Sequence, residues 1–160
     1  MQEKSLDLCL IQLPNPALQH QTMYMPLGIL YIASVVEKAG YKVEVLDLRD
    51  GDKPLPNARF YGFSCTTPEI NDAKRLAKQV MGITIVGGAH ASLLPEDCNG
   101  HFDYIVIGEG EDVIIPILQG KFSRGRVQAP RLLKLDSIPY PAWRKLNTPF
   151  SDTLFPGEGH

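Results

Sequence analysis

The chain has 160 residues, 44% of them hydrophobic and 21% charged, with a formal net charge of −2. That size holds one domain with a real core rather than two, and the slightly acidic balance excludes a nucleic-acid binder that tracks phosphates with a basic surface. No apolar run approaches a membrane span and the opening MQEKSLD has no signal-peptide pattern, so the cytoplasm is the expected compartment.

Three cysteines, Cys9, Cys65 and Cys98, lie far apart and make neither a disulfide framework nor a C-x-x-C zinc pair. No three are spaced to hold an iron–sulfur centre. In chain order, LDLCLIQL (6–13) reads as a buried strand and PLGILYIASVVEKA (26–39) as a helix. Ile29, Ile32, Ala33 and Val36 form the inner face of that helix, with Ser34, Glu37 and Lys38 opposite, Pro26 as start and Gly40 as stop. A second strand is expected over 42–48, a third over 60–64, a helix over 69–81 with Ile70, Ala73, Ala77 and Val80 inside, a fourth strand over 83–86 and a fifth over 104–107. A last helix spans 113–118, kinked or delayed by Pro116.

Alternating strands and helices imply right-handed crossovers and a parallel sheet covered on both faces. The expected fold is therefore α/β, a five-stranded parallel sheet in the flavodoxin-like (Rossmann-like) order 2-1-3-4-5. Periodicity is lost from about residue 121, so residues 1–120 read as the domain and 121–160 as an extended, proline-containing tail or linker.

In such a sheet ligands bind beyond the carboxyl ends of the strands, at the point where strand order reverses. The segments expected there are QLPNP (12–16), DLRDG (47–51), SCTTP (64–68), GGAHAS (87–92) and GEGE (108–111), rich in glycine, small residues and hydroxyls. Three ligand classes fail against them. A flavin-phosphate loop after the first strand needs Ser, Thr and Gly, and QLPNPALQH has none. The G-x-G at this edge, Gly108-Glu109-Gly110, follows the wrong strand for a dinucleotide and lacks the third glycine. A phospho-receiver needs Asp at the first edge, where Gln12-Leu13-Pro14 stands.

The succession PLGILYIASVVEKAGYKVEVLD, GFSCTT, IVGGAHAS and DYIVIGEGE, with LDSIPYPAW in the tail, resembles the cobalamin-binding domain of cobalamin-dependent radical S-adenosylmethionine enzymes over roughly residues 6–145. The resemblance implies that cobalamin's corrin ring rests on the strand ends and its nucleotide tail threads down between strands. Gly87 and Gly88 would leave it room, and Ser64 and Thr66 would face it with hydroxyls. It also implies contacts from Leu13, Pro14, Asn15, Tyr24 and Met25 of the first loop and from Leu48 and Arg49. Cys65, Thr67, Ala89, His90 and the Gly108–Glu111 stretch would complete the set.

Where many cobalamin proteins carry D-x-H-x-x-G with a cobalt-ligating histidine, this chain has Asp47-Leu48-Arg49-Asp50-Gly51. A guanidinium has no lone pair to offer a metal, so cobalamin is expected base-off without a histidine ligand, as in the radical branch. Cobalt left open below would be strongly nucleophilic and suited to methyl transfer. His90 is open to three roles: a contact with cofactor or loop, a structural turn residue, or a cobalt ligand.

No C-x-x-x-C-x-x-C occurs, so a 4Fe–4S cluster and S-adenosylmethionine belong to a barrel expected beyond this chain, its partner domain in the full-length protein. This chain alone is expected to be catalytically inactive, with no catalytic residue and no protein metal ligand assigned. Bland readings stand beside these. The Gly87-Gly88 pair serves equally as a strand-ending turn, Ser64, Thr66 or Thr67 as helix caps, and Glu109 and Glu111 as first-turn acids. Cys65 reads as a buried small residue, and Trp143 packs the tail on a neighbouring domain. The alternative function is a cofactor-free module that docks on a radical barrel, with an unrelated flavodoxin-like enzyme as a third class.

Overall fold

The computed structural model describes residues 5–131 and 135–146. Six strands, all parallel, form one sheet in the order β2-β1-β3-β4-β5-β6. They are β1 (Leu6–Gln12), β2 (Val43–Asp47), β3 (Ala58–Ser64), β4 (Ile83–Gly87), β5 (Tyr104–Ile107) and β6 (Gly125–Gln128). The helices are α1 (Leu27–Lys38), α2 (Ile70–Ala77), α3 (Ala89–Leu93), α4 (Pro95–Cys98) and α5 (Ile114–Leu118).

The alternating side chains of each strand divide the core in two. Leu8, Leu10, Phe60, Ile85 and Val106 pack with Ile29, Leu30, Ala33 and Val36 of α1 and with Ile114 and Ile117 of α5. Cys9, Ile11, Phe63, Val86 and Ile105 face the other way, against α2 and the buried Ala91, Cys98 and Phe102. The order reverses between β1 and β3, which places the binding edge at the carboxyl ends of these two strands and of β4.

Three expectations need correction. The sheet has six strands rather than five: GRVQ of β6 buries only Val127, too little to signal a strand, yet it pairs with all four residues of β5. Residues 89–98, where the sequence leads to no helix being expected, contain α3 and α4, both too short to show helical periodicity. Ser34, expected on the outer face of α1, is buried because the chain at Pro139–Ala142 covers it. Pro116 delays α5 as expected. It sits at the third position of the helix, where its missing N–H leaves no bond unmade, after a separate 3-10 turn at Gly110–Asp112.

Of the expected tail, residues 132–134 and 147–160 lie outside those described. The described piece at 139–146 is docked on α1. The Ala142 N–H donates to Leu30 O at 3.1 Å, Arg144 pairs with Glu37, and Lys145 Nζ donates to Val43 O at 2.8 Å while lying 3.5 Å from Glu37 Oε1. Among the described residues, no helix is long and apolar enough to cross a membrane.

Partial burial pushes the Glu37 carboxyl up, but the Arg144 hydrogen bond and the Lys145 and Arg144 charges outweigh it, and the net shift is down. A carboxylate with a lowered folded-state pKa stabilises the docked state above its ordinary range, near about 4.3. That contribution is lost as pH falls through the lowered value. We expect Glu37→Gln, or acidification below about pH 4, to lower the protection of the Ala142 amide, relative to its intrinsic exchange rate at the same pH, several-fold while β1 and β3 stay protected. Unchanged protection at Ala142 would contradict the docking.

Candidate functional site

A cavity of about 310 Å³ opens at the carboxyl edge, between the sheet and α1. Its inner wall is hydrocarbon from mid-strand and helix positions: Leu10, Ile29, Ile32, Ile85, Val106 and Ile114. Six of its sixteen lining residues are glycines: Gly28, Gly62, Gly87, Gly88, Gly108 and Gly110. Ser64 supplies a hydroxyl for which, among the described residues, no partner is found. Glu109 and Glu111 line the mouth, where burial, followed by the neighbouring Glu109 and Asp112 charges, pushes the Glu111 carboxyl up despite a backbone hydrogen bond that lowers it.

The two glycines of the Gly87-Gly88 turn do different work. A Cβ on Gly87 would meet only Val106 Cβ, at an ordinary 3.8 Å, so this position keeps the cavity open without being forced to by packing. Gly88 has φ +93°, and a Cβ there would lie 2.8 Å from Cys65 O and 2.9 Å from Cys65 N. Any L side chain is strained there both by conformation and by contact. This close approach joins β3 to β4 at the edge: the Cys65 N–H donates to Gly87 O and the His90 N–H to Cys65 O, each at 3.1 Å.

The cavity thus gathers Ser64, Gly87, Gly88, Gly108, Glu109, Gly110 and Glu111 of the expected site. The others stand elsewhere. Leu13, Leu48 and Cys65 are buried in the second core, and burial, with the nearby Glu69 charge, raises the Cys65 thiol far above its ordinary range. The Glu69 carboxylate accepts the Thr66 N–H at 2.6 Å and the Thr66 hydroxyl at 3.1 Å, making Thr66, not Thr67, the residue that caps the next helical turn. Ala89 opens α3. His90 is only 3% exposed; its Nδ1 lies 3.1 Å from Thr67 Oγ1 and its Nε2 lies 3.0 Å from Asp97 Oδ2, which Lys74 also holds at 2.7 Å. Both ring nitrogens are engaged within the protein.

Arg49 also turns inward. Its Nε and Nη2 donate to the two oxygens of Asp47 at 2.9 and 2.7 Å, with the pair almost wholly buried. Its Nη1 donates to Tyr24 O and to Gln21 O, which ties the β1–α1 loop to the end of β2. Asn15 closes the same loop on itself: its N–H donates to Gln21 Oε1 at 2.7 Å, and its Oδ1 accepts the Ala17 N–H at 2.9 Å. Pro14 and Met25 belong to this loop. Met23 and Tyr24 on it, and Leu27 at the start of α1, are exposed apolar side chains that make a shelf at the carboxyl edge.

The sequence reading missed the apolar wall and two of the glycines, Gly28 and Gly62. The signal for Gly62 was present: FYGFS places a glycine inside an otherwise bulky strand, a mark of close approach by another group. A Cβ there would lie 2.8 Å from Leu10 Cδ2.

Known proteins are similar to this chain in sequence or in fold. The chain is 30% identical to cytidylyl-2-hydroxyethylphosphonate methyltransferase of Streptomyces wedmorensis, over 54% of this chain and 22% of that protein. The radical S-adenosylmethionine methyltransferase TsrM from Kitasatospora setae, solved with tryptophan and a S-adenosylmethionine analogue, superposes with a TM-score of 0.58 at 17% identity, over 72% of this chain and 26% of that one. A second TsrM structure, with cobalamin and an iron–sulfur cluster bound, gives a TM-score of 0.44 at 16% identity, over 57% and 20%. The chain therefore spans about a quarter of the length of these relatives. The family model described as the B12 binding domain matches residues 20–117, more than half of the chain. This chain belongs to the B12-binding domain family, whose cofactor is cobalamin.

Proposed function

We propose that this chain seats cobalamin base-off at the carboxyl edge of its sheet, with no histidine of its own on cobalt, and presents it to a radical S-adenosylmethionine domain for methyl transfer. The observation that carries this reading is the cavity beneath Gly87. It is deep, apolar and glycine-lined, at the switch point of the sheet. A nucleotide tail fits there because Gly62 and Gly87 withhold side chains, while the Ser64 hydroxyl remains free to donate to a ring nitrogen. The shelf of Met23, Tyr24 and Leu27 offers an apolar face on which a large planar ring can lie.

Bound cobalamin supplies a cobalt centre able to accept and hand on a methyl group. The chain's own residues bind and orient. Arg49, at the place of a ligating histidine, is spent on Asp47 and on the β1–α1 loop, and so fixes the shelf instead of reaching cobalt. His90 is locked between Thr67 and Asp97 and so holds α3 against the segment after β3. A barrel with a 4Fe–4S cluster and S-adenosylmethionine would complete the reaction. The cobalamin domain in this reading extends past the expected boundary at 120 to include β6, and the chain beyond leads toward the barrel. The two relatives favour methyl transfer, since one is a methyltransferase at 30% identity and the other a radical methyltransferase of similar fold.

Hydroxocobalamin added to the purified chain and then desalted should be retained with a base-off visible spectrum and a raised thermal midpoint. Gly87→Val should abolish retention while shifting stability by less than about 1 kcal/mol, because its Cβ enters the cavity and not the fold. Gly88→Ala should lower stability by about 2–4 kcal/mol in urea, since it combines backbone strain with a backbone clash. Equal stability losses in the two variants would remove the distinction drawn between these glycines. After reduction to cob(II)alamin, the electron paramagnetic resonance spectrum should lack nitrogen superhyperfine splitting and be the same in His90→Asn. A splitting lost in that variant would make His90 the ligand.

A further inference from the structure

The polarity of the cavity selects among nucleotide tails, an inference that rests on the reading above. Around its depth the main chain offers nothing: Leu10, Gly62 and Ile85 stand opposite one another in the β1–β3–β4 ladders, which use their peptide groups. The side chains there are aliphatic. The polar side chains are the Ser64 hydroxyl, at the end of β3, and Glu109 and Glu111 on the loop after β5 at the mouth. A base lying against Gly62 and Val106 therefore meets hydrocarbon on its faces and, of the neutral side chains, one hydroxyl at its edge.

Benzimidazole-type and purine-type bases are both fused bicycles of nearly equal size, so volume cannot separate them. Polarity can. A benzimidazole has one free ring nitrogen and an otherwise hydrocarbon edge. A purine such as adenine has several ring nitrogens and an exocyclic amino group, each of which loses water on entry. We propose that this cavity is specific for corrinoids with a benzimidazole-type base, matching one hydroxyl to one acceptor, and discriminates against those with a purine base, whose extra polar groups would be buried without partners.

The test is equilibrium binding of three corrinoids to the purified chain, followed by visible absorption: cobalamin with its dimethylbenzimidazole tail, its adenine-tailed analogue, and cobinamide, which has no nucleotide. Cobalamin should bind about tenfold or more tightly than the adenine form, and cobinamide should also fall well below cobalamin. Equal or tighter binding of the adenine form overturns the inference and leaves the cobalamin reading intact. Cobinamide binding as tightly as cobalamin overturns the placement of the tail in this cavity, and binding of none of the three overturns the cobalamin reading itself. The substitution Val106→Thr, close in shape but with an added hydroxyl facing the cavity, should narrow the preference for cobalamin over the adenine form. An unchanged ratio in that variant would overturn the assignment of selectivity to this wall.

Discussion

A parallel sheet packed on both faces has no room for a ligand unless side chains are withheld from one of them, and here they are withheld at Gly62 and Gly87. Both lie beside the reversal of strand order, where helices leave the sheet in opposite directions and the carboxyl edge is least covered. Every other feature of the site follows from keeping that gap open. The aliphatic residues of α1 and α5 roof it, Gly88 bends the chain away so that Cys65 can approach, and the Gly108–Glu111 turn frames its mouth. A side chain on Gly87 would enter that gap, and one on Gly62 would press on Leu10.

The second constraint concerns charge. Asp47 is almost wholly buried, and such a carboxylate is tolerable only if fully paired. Arg49 pairs it bidentately from two residues away and uses its remaining donors on the loop after β1. One side chain thereby pairs a buried acid, fixes the apolar shelf and occupies the sequence position of a ligating histidine. His90 shows the same economy: its two nitrogens join Thr67 at the edge to Asp97 and Lys74 on the flank. His90, open in the sequence to a cobalt-ligand role, is an internal strut in the fold.

The fold was legible because long periodic segments speak for themselves. The apolar face of α1, the interior strands and the glycine stop at Gly40 all carry their signals within a few residues. β6 was not legible: its four residues bury one valine and owe their strand geometry to pairing with β5. α3 and α4 were hidden because five and four residues complete barely one helical turn. Within the site, the glycine turns could be read because each places small residues at a strand end. The inward turn of Arg49 could not, since it depends on the contact with Tyr24, 25 residues away in the chain. The choice of Thr66 over Thr67 as cap was legible, because Thr66-Thr67-Pro68-Glu69 is a T-x-x-E capping box while Ile70 stands three residues after Thr67.

The most direct test of the cavity as the seat of cobalamin is a backbone amide correlation spectrum of the labelled chain titrated with hydroxocobalamin. The account predicts the largest shifts at Gly62, Ser64, Gly87, Gly88 and Gly108–Glu111, with Gly28 and Ile32 of α1 following at the same ligand concentration. Shifts concentrated instead at Thr84, Asn99 and Arg124, which line a second hollow at the opposite end of β4 and β5, would contradict it.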